Sequence, residues 1–491
     1  MGILEEVKQY YGRLKLYIDG EWVDSDSDEV IPSMNPAKDT TIAEVPFATR
    51  DEVDEAIKTA EEAFPAWAEL PVTTRVRYIY KMWHVLEEHF EEISRIISQN
   101  HGKVIDEARG EVRRLIENVE TAAAIAYTLQ KGEQLDQVAS GIDETLVREP
   151  MGVFSIIGPF NFPVMAPFWF IPYALVLGNT IVVKPSEITP VAMDWLMHVL
   201  QEVKLPAGVI NMVHGGKDTA INMITHSSIQ GVCFVGSTHV GKQVYKLAGE
   251  YGKRAIVQAG AKNFIIVMPD ADLELTIPAL ITSFYGNTGQ RCLSGSNLVP
   301  VGEIYEPLIR KFIEASKRLK LGYGLDESAN MGPLVTKKAL ERVTGYVEKG
   351  LEEGAKLILD GRNSKVPEYP KGYFIGPTVF DEVAPDMKIA REEIFGPVVS
   401  IMPARNLDEA IEMINNNNYG NAASIFTRSG KNAREFRKRV TVGNIGINVG
   451  IAAPMAFFPF GGWKDSFFGV LHGQIDCVDF FTNKRIIITR W

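Results

Sequence analysis

One short stretch gathers the residue types that nucleophilic chemistry needs. Asn287-Thr288-Gly289-Gln290-Arg291-Cys292-Leu293-Ser294-Gly295 sets a cysteine among small and polar residues, directly after an arginine. Inert structural cysteines usually sit in apolar runs. A turn or helix start with free backbone N–H groups and a neighbouring cation lowers a thiol pKa, so Cys292 is a candidate nucleophile. The plain alternative is a small core side chain. Four further segments could serve such a nucleophile. Gly158-Pro159-Phe160-Asn161-Phe162-Pro163 holds an amide between two prolines, where Asn161 could donate to a developing oxyanion; asparagine is also common in such turns. Val183-Lys184-Pro185-Ser186-Glu187 ends a predicted strand, and Lys184 with Glu187 could hold the hydroxyls of a ribose. Its plain reading is a solvated strand end, with Thr189 capping a helix that carries Pro190 in its first turn. Phe234-Val235-Gly236-Ser237-Thr238-His239-Val240-Gly241 turns a strand into a helix whose N-terminus can meet a phosphate. It is not G-x-G-x-x-G, and an ordinary glycine turn explains it equally well. In Glu392-Glu393-Ile394-Phe395-Gly396-Pro397, Glu393 could accept from a ribose diol and Phe395 could pack on a flat ring; the alternative is a charged turn with a core aromatic.

These segments need a scaffold that brings strand ends together. Residues 16–45 read as short strands and turns, 51–64 as a helix, and 72–130 as several long amphipathic helices. Apolar runs at 152–157, 180–183, 208–213 and 231–235 then alternate with helical stretches. That pattern predicts an α/β fold with a parallel sheet covered on both faces. A second alternating block starts with strands at 255–257 and 263–268. It continues with helices near 272–285, 303–320 and 336–354 and strands near 357–359 and 397–402. In open parallel sheets ligands bind at the carboxyl ends of the strands. Arg485-Ile486-Ile487-Ile488-Thr489 is an isolated strand that needs a partner in this chain or in another subunit.

Composition narrows the function classes. The 491 residues suffice for about three domain-sized units. Lys plus Arg number 51 against 62 Asp plus Glu, a net charge of −11 that disfavours nucleic-acid or anionic-membrane binding. The three cysteines, Cys233, Cys292 and Cys477, form no C-x-x-C pair, so neither a metal site nor a disulfide framework is expected. Such low usage fits a reducing, cytoplasmic setting. The acidic N-terminal residues do not make a secretory signal, and Glu6 breaks the myristoylation pattern. The longest apolar run, 160–177, is interrupted by prolines and reads as a loop plus a buried helix.

Taken together, in this order around one cysteine, the segments resemble the aldehyde dehydrogenase superfamily from about residue 16 to the C-terminus. The resemblance implies an NAD(P)-binding, Rossmann-like domain over 1–128 and 150–258, and a catalytic domain over 259–462. It also implies a β-arm for oligomerisation, from 129–149 and 471–491, and hence a homodimer or homotetramer. Cys292 is then the nucleophile, and Asn161 with the Cys292 N–H the oxyanion hole. Lys184 and Glu187 meet the adenosine ribose, Gly236, Ser237 and Gly241 the pyrophosphate, and Glu393 and Phe395 the nicotinamide side. Ile157, Phe160 and Gly215 complete the cofactor contacts.

The chain departs from the family at one position that matters. Where hydrolytic members read E-L-G-G-K, with the glutamate as general base, this chain reads Gln258-Ala259-Gly260-Ala261-Lys262-Asn263. A glutamine has no basic lone pair to take a proton from water. The G-A-K-N sequence and the stretch 457–472 resemble the methylmalonate-semialdehyde branch, which passes its acyl group to coenzyme A. By that resemblance Arg114 and Arg291 grip a substrate carboxylate, although the branch usually has G-E-R-C where this chain has Gly289-Gln290-Arg291-Cys292. Arg114 also fits a surface salt bridge. Glu187 disfavours a 2′-phosphate, whereas Lys184 and Lys217 could accept one, so NAD and NADP both stay open. The rival readings are a hydrolytic aldehyde dehydrogenase of broad specificity and a cofactor-binding protein without turnover.

Overall fold

The computed structural model describes residues 2–469 and 473–491. Val470, Leu471 and His472, which end the 457–472 stretch and open the expected C-terminal arm, lie outside the described residues. The first sheet has eight strands. Its centre runs Ile210–Met212, Thr180–Lys184, Val153–Ile157, Ile229–Val235, Arg254–Gln258, all parallel. Leu16–Ile18 and Phe467–Phe468 add antiparallel on the two sides, and Glu21–Val23 closes one edge. The chain starts this parallel core in the middle, at Val153–Ile157, builds outward on one side and returns to build on the other. Loops that leave adjacent strands in opposite directions open a crevice at their carboxyl ends. The strands there are mostly apolar because helices cover both faces. Val153, Phe154, Ile156 and Ile157 are all buried, worth roughly 1.5–3 kcal/mol per large side chain.

The second sheet runs Lys356–Leu359, Thr378–Asp381, Val398–Ile401, Gly295–Pro300, Asn263–Val267, Ala422–Phe426, Asn444–Ile447. Only the Lys356–Leu359 edge strand is antiparallel. The two sheets are interwoven, since Phe467–Phe468 crosses back to pair with Arg254–Gln258 of the first.

The lone C-terminal strand finds its partner inside this chain. Thr482–Arg490 pairs antiparallel with Ile142–Pro150 along its whole length, and Glu133–Ala139 completes a three-stranded sheet. Ile486, Ile487 and Ile488 stay exposed on it.

The helical segment 72–130 divides into Val72–Glu88, Phe90–His101 and Ile105–Thr128. The helix expected over 51–64 runs Arg50–Glu69, started by a Thr49/Glu52 capping box that satisfies two orphan donors. Thr189 does not cap the helix Val191–Leu200. Its hydroxyl donates to the Phe160 carbonyl at 2.8 Å, tying together the loops that leave two neighbouring strands. Among the described residues, no helix is long and apolar enough to cross a membrane.

Candidate active site

A cleft of about 680 Å³ opens at the carboxyl edge of the first sheet and reaches Cys292 on the second. Ile157, Phe160, Asn161, Lys184, Glu187, Gly236 and Ser237 line it from one side, and Cys292, Glu393 and Phe395 from the other. Residues as far apart in sequence as 157 and 395 therefore share one space.

Cys292 sits between the helix Leu273–Tyr285 and the strand Gly295–Pro300. Asn287 and Thr288, just before it, both adopt left-handed backbone angles, φ 53° and 55°. Such non-glycine residues cost ~1–3 kcal/mol each and persist only where their surroundings hold them. Here the Glu107 carboxylate accepts the Asn287 N–H at 2.5 Å, and Thr288 Oγ1 donates to the Gly332 carbonyl at 2.9 Å. Beyond the loop, Asn263 Nδ2 and Asn421 Nδ2 donate to the Cys292 carbonyl at 2.7 and 3.0 Å. Asn161 Nδ2 donates to the Gln290 carbonyl at 3.0 Å. A primary amide has two N–H groups, so one remains for a ligand beside the thiol.

The electrostatics of the thiol overturn the expectation from its neighbours. Burial, and then the Glu393 carboxylate, push Cys292 up to about 12. The backbone N–H groups of Leu293 and Cys292 and the Arg291 cation oppose this and lose. Arg291 is weak here because its guanidinium folds back onto the end of the preceding helix, donating to the Thr282 carbonyl at 2.7 Å and to that of Ser283 at 3.2 Å. Burial also raises Glu393 to about 7, against the Ala261 N–H that it accepts at 2.8 Å and the Arg342 and Lys262 cations. Lys262, whose buried ammonium has no hydrogen-bond partner among the described residues, is lowered by burial to about 7.

Three expected contacts stand elsewhere. Gly215 does not line the cleft; its carbonyl accepts from Lys184 Nζ at 2.6 Å, and Gly216 and Lys217 take the lining position. Gly241 lies inside the helix Thr238–Glu250, where a Cβ would meet Val257 Cγ1 at 2.9 Å; its role is to let that helix sit close on the sheet. Gln258 is turned out of the cleft, with Nε2 donating to the Phe460 carbonyl at 2.8 Å and Oε1 without a partner among the described residues.

Arg114 does not line the cleft either, being paired with Glu117 at 2.8 Å. The segment 451–455 links the two arginines' surroundings. Met455 Sδ touches Arg114, and the Ile451 N–H donates to Ser283 Oγ, whose residue carbonyl accepts from Arg291.

Residues 22–487 match the family model described as the aldehyde dehydrogenase family. The chain belongs to the aldehyde dehydrogenase family. This aldehyde dehydrogenase is 46% identical over 479 residues to malonate-semialdehyde dehydrogenase 2 of Geobacillus kaustophilus, covering 97% of this chain and 99% of that one. Its structure superposes on that of methylmalonate-semialdehyde dehydrogenase from Oceanimonas doudoroffii with a TM-score of 0.96 at 39% identity, covering 98% and 99% of the two chains. It also superposes on the NAD+ complex of an aldehyde dehydrogenase from Bacillus cereus, with a TM-score of 0.94, 32% identity and full coverage of both.

The cleft of this aldehyde dehydrogenase suits a dinucleotide by its own chemistry. Ser237 caps the helix Thr238–Glu250 and leaves its positive end facing the space, as a pyrophosphate needs. Ile221, Ile224, Val244 and Leu247 make an apolar slot beside it. Lys184 Nζ stands 3.4 Å from the Glu187 carboxylate, a donor and acceptor side by side as a ribose diol requires. Sequence reasoning missed Arg342. It lines the cleft from the helix Lys337–Glu352 and donates to the Phe395 carbonyl at 3.4 Å. Nothing distinguishes it in sequence from the other charged residues on that helix.

Proposed function

We propose that this enzyme oxidises a malonate-type semialdehyde with NAD and passes the acyl group from Cys292 to coenzyme A. The observation that carries the acyl-transfer reading is Gln258. The position where hydrolytic relatives are expected to hold a base carries a neutral amide, and that amide is bound to the Phe460 carbonyl. The names of the Geobacillus and Oceanimonas relatives support the substrate class.

Each residue then has a task. Cys292, once ionised, attacks the aldehyde carbon through Sγ, and the carbonyl oxygen becomes an oxyanion between the free Asn161 N–H and the Cys292 N–H. Bound in the cleft, the nicotinamide ring supplies the hydride acceptor. Glu393 and Phe395 fix that end of the cleft, Phe395 set by an edge contact to Phe160 at 5.7 Å. Loss of hydride leaves a thioester on Cys292. A thiolate needs no base to attack it, whereas water does, so an acceptor such as coenzyme A clears the enzyme and Cys292 leaves as thiolate. Glu187 favours NAD, since a 2′-phosphate would meet its carboxylate. Arg114 touches Met455, and Arg291 shares Ser283 with Ile451, so both border the segment 451–455, which we take as the substrate side. We read 1–128 with 150–258 as the cofactor domain and 259–462 as the catalytic domain. The three-stranded sheet is the arm of a homodimer or homotetramer, and the compartment is the cytoplasm.

One observation favours a second reading. Glu393 lines the same cleft and burial raises it to about 7, the range of a working general base, so release to water could run through it. The deciding assay is reduced-nucleotide formation with malonate-type and simple aliphatic aldehydes, with and without coenzyme A. Turnover that halts after one equivalent per subunit without coenzyme A supports acyl transfer. Full turnover without it rejects that reading in favour of hydrolysis. No first equivalent under either condition, with either class of aldehyde, supports a cofactor-binding protein without turnover.

A further inference from the structure

Behind the cleft lies an ion pair to which the chemistry above gives no task. Gly102, at φ 96°, ends the helix Phe90–His101 in a turn so close-packed that a Cβ would meet Pro333 and Pro36 at 2.7 and 2.8 Å. The next residue, Lys103, points inward. Its side chain and that of Glu111 have no exposed surface, and Lys103 Nζ donates to Glu111 Oε2 at 2.7 Å. The same ammonium donates to the Asn161 carbonyl at 2.7 Å and stands 4.2 Å over the Phe162 ring. The other oxygen of Glu111 accepts the Val164 and Met165 N–H groups at 3.1 and 3.2 Å. One buried pair thus grips residues 161, 162, 164 and 165. On its far side the Asn161 carbonyl also accepts from Asn287 Nδ2 at 3.3 Å, in the cysteine loop.

We propose that Lys103, held in place by Glu111, is a positioning residue that sets the direction of the Asn161 amide beside Cys292. The proposal rests on Asn161 being the oxyanion donor. Two arguments carry it. A fully desolvated ion pair is a poor source of stability, since well-packed apolar side chains of similar volume often serve as well; charge here needs another use. A cation donating to the Asn161 carbonyl fixes that peptide plane, and with it the direction in which the side chain leaves the backbone. Misplacement of a reacting group by about 1 Å can cost ~10²-fold in rate.

The test is a double-mutant cycle read by single-turnover formation of reduced nucleotide, alongside nucleotide affinity and melting temperature. Asn161→Ala alone should slow acylation by about 10²–10³-fold. Lys103→Met should slow it by roughly 10–100-fold in the parent enzyme, but less than about twofold when Asn161 is already alanine, because the effect runs through that residue. Nucleotide affinity should stay unchanged. If Lys103→Met fails to fold, Lys103→Met with Glu111→Leu removes both charges together and takes its place. Equal losses in both backgrounds, following the melting temperature, would mean that the pair only holds the fold. A parent-like acylation rate without the pair, while Asn161→Ala is slow, overturns the positioning role and leaves the oxyanion reading intact. An Asn161→Ala enzyme that acylates at the parent rate overturns both.

Discussion

The sharpest prediction concerns the reactivity of Cys292 in the ligand-free enzyme. Burial and the Glu393 carboxylate push its thiol up to about 12, against ~8.5 for a free cysteine. At any pH below both values the thiolate fraction is then lower by about 10³·⁵. A more basic thiolate is also a better nucleophile, with a Brønsted slope of about 0.4–0.5, so roughly half of that logarithm is recovered. Alkylation by iodoacetamide should accordingly run up to about 50–100-fold slower than for free cysteine. This is an upper limit, because part of the residue still faces the cleft. The rate should climb about tenfold per pH unit from pH ~6.5 to ~10 without a plateau, as expected for a thiolate minority. Glu393→Gln removes the second cause and should speed labelling about threefold for each unit by which the pKa falls. Saturating NAD+, with its cationic ring, should act in the same direction. The assay is mass-spectrometric modification of Cys292 against time and pH. A plateau below pH ~8.5 in the ligand-free enzyme would refute the reasoning; the backbone amides and Arg291 would then outweigh burial after all.

Three further expectations follow from the site. In Gln258→Glu the carboxylate, repelled by the Phe460 carbonyl, should swing into the cleft and confer turnover without coenzyme A, measured as steady-state reduced nucleotide. A carboxylate cannot donate to the Phe460 carbonyl, so this variant should also lose about 1–3 kcal/mol of stability. That loss should be larger at pH 8 than at pH 5, because burial raises the folded pKa and the protonated acid, stable at low pH, can still donate. Arg114→Met should raise KM for a malonate-type semialdehyde about tenfold, a loss of ~1.4 kcal/mol, and leave a simple aliphatic aldehyde unaffected; an equal change for both would place Arg114 outside substrate recognition. Glu187→Gln should shift the NADP-to-NAD ratio of kcat/KM upward by roughly tenfold, again ~1.4 kcal/mol, and an unchanged ratio would put the discrimination elsewhere.

Much of this protein is written locally. Strand runs such as 153–157 and 180–184 are buried at every position and mostly apolar because both faces are covered, and that pattern survives without any knowledge of neighbours. Strand ends are legible in the same way, so Asn161, Lys184 and Gly236 could be placed at one edge of a sheet from sequence alone. The chemistry of the cysteine could not. Its flanking residues point to a low pKa, yet the answer depends on burial and on Glu393, 101 positions further along the chain and facing the same cleft. Arg291 is adjacent in sequence and still has little effect, since a side-chain rotamer carries its charge to the carbonyls of Thr282 and Ser283. Gly215 and Gly241 show the same limit. A glycine near a strand end reads as ligand contact, but only packing tells whether it meets a ligand, a lysine or a neighbouring strand. Lys103, in the turn between two helices, and Glu111, on an amphipathic helix, carried no signal in sequence because charged residues at such places are usually solvated. Their burial, and the hold they take on the loop of Asn161, exist only once helices 90–101 and 105–128 have packed against the strand-end loop.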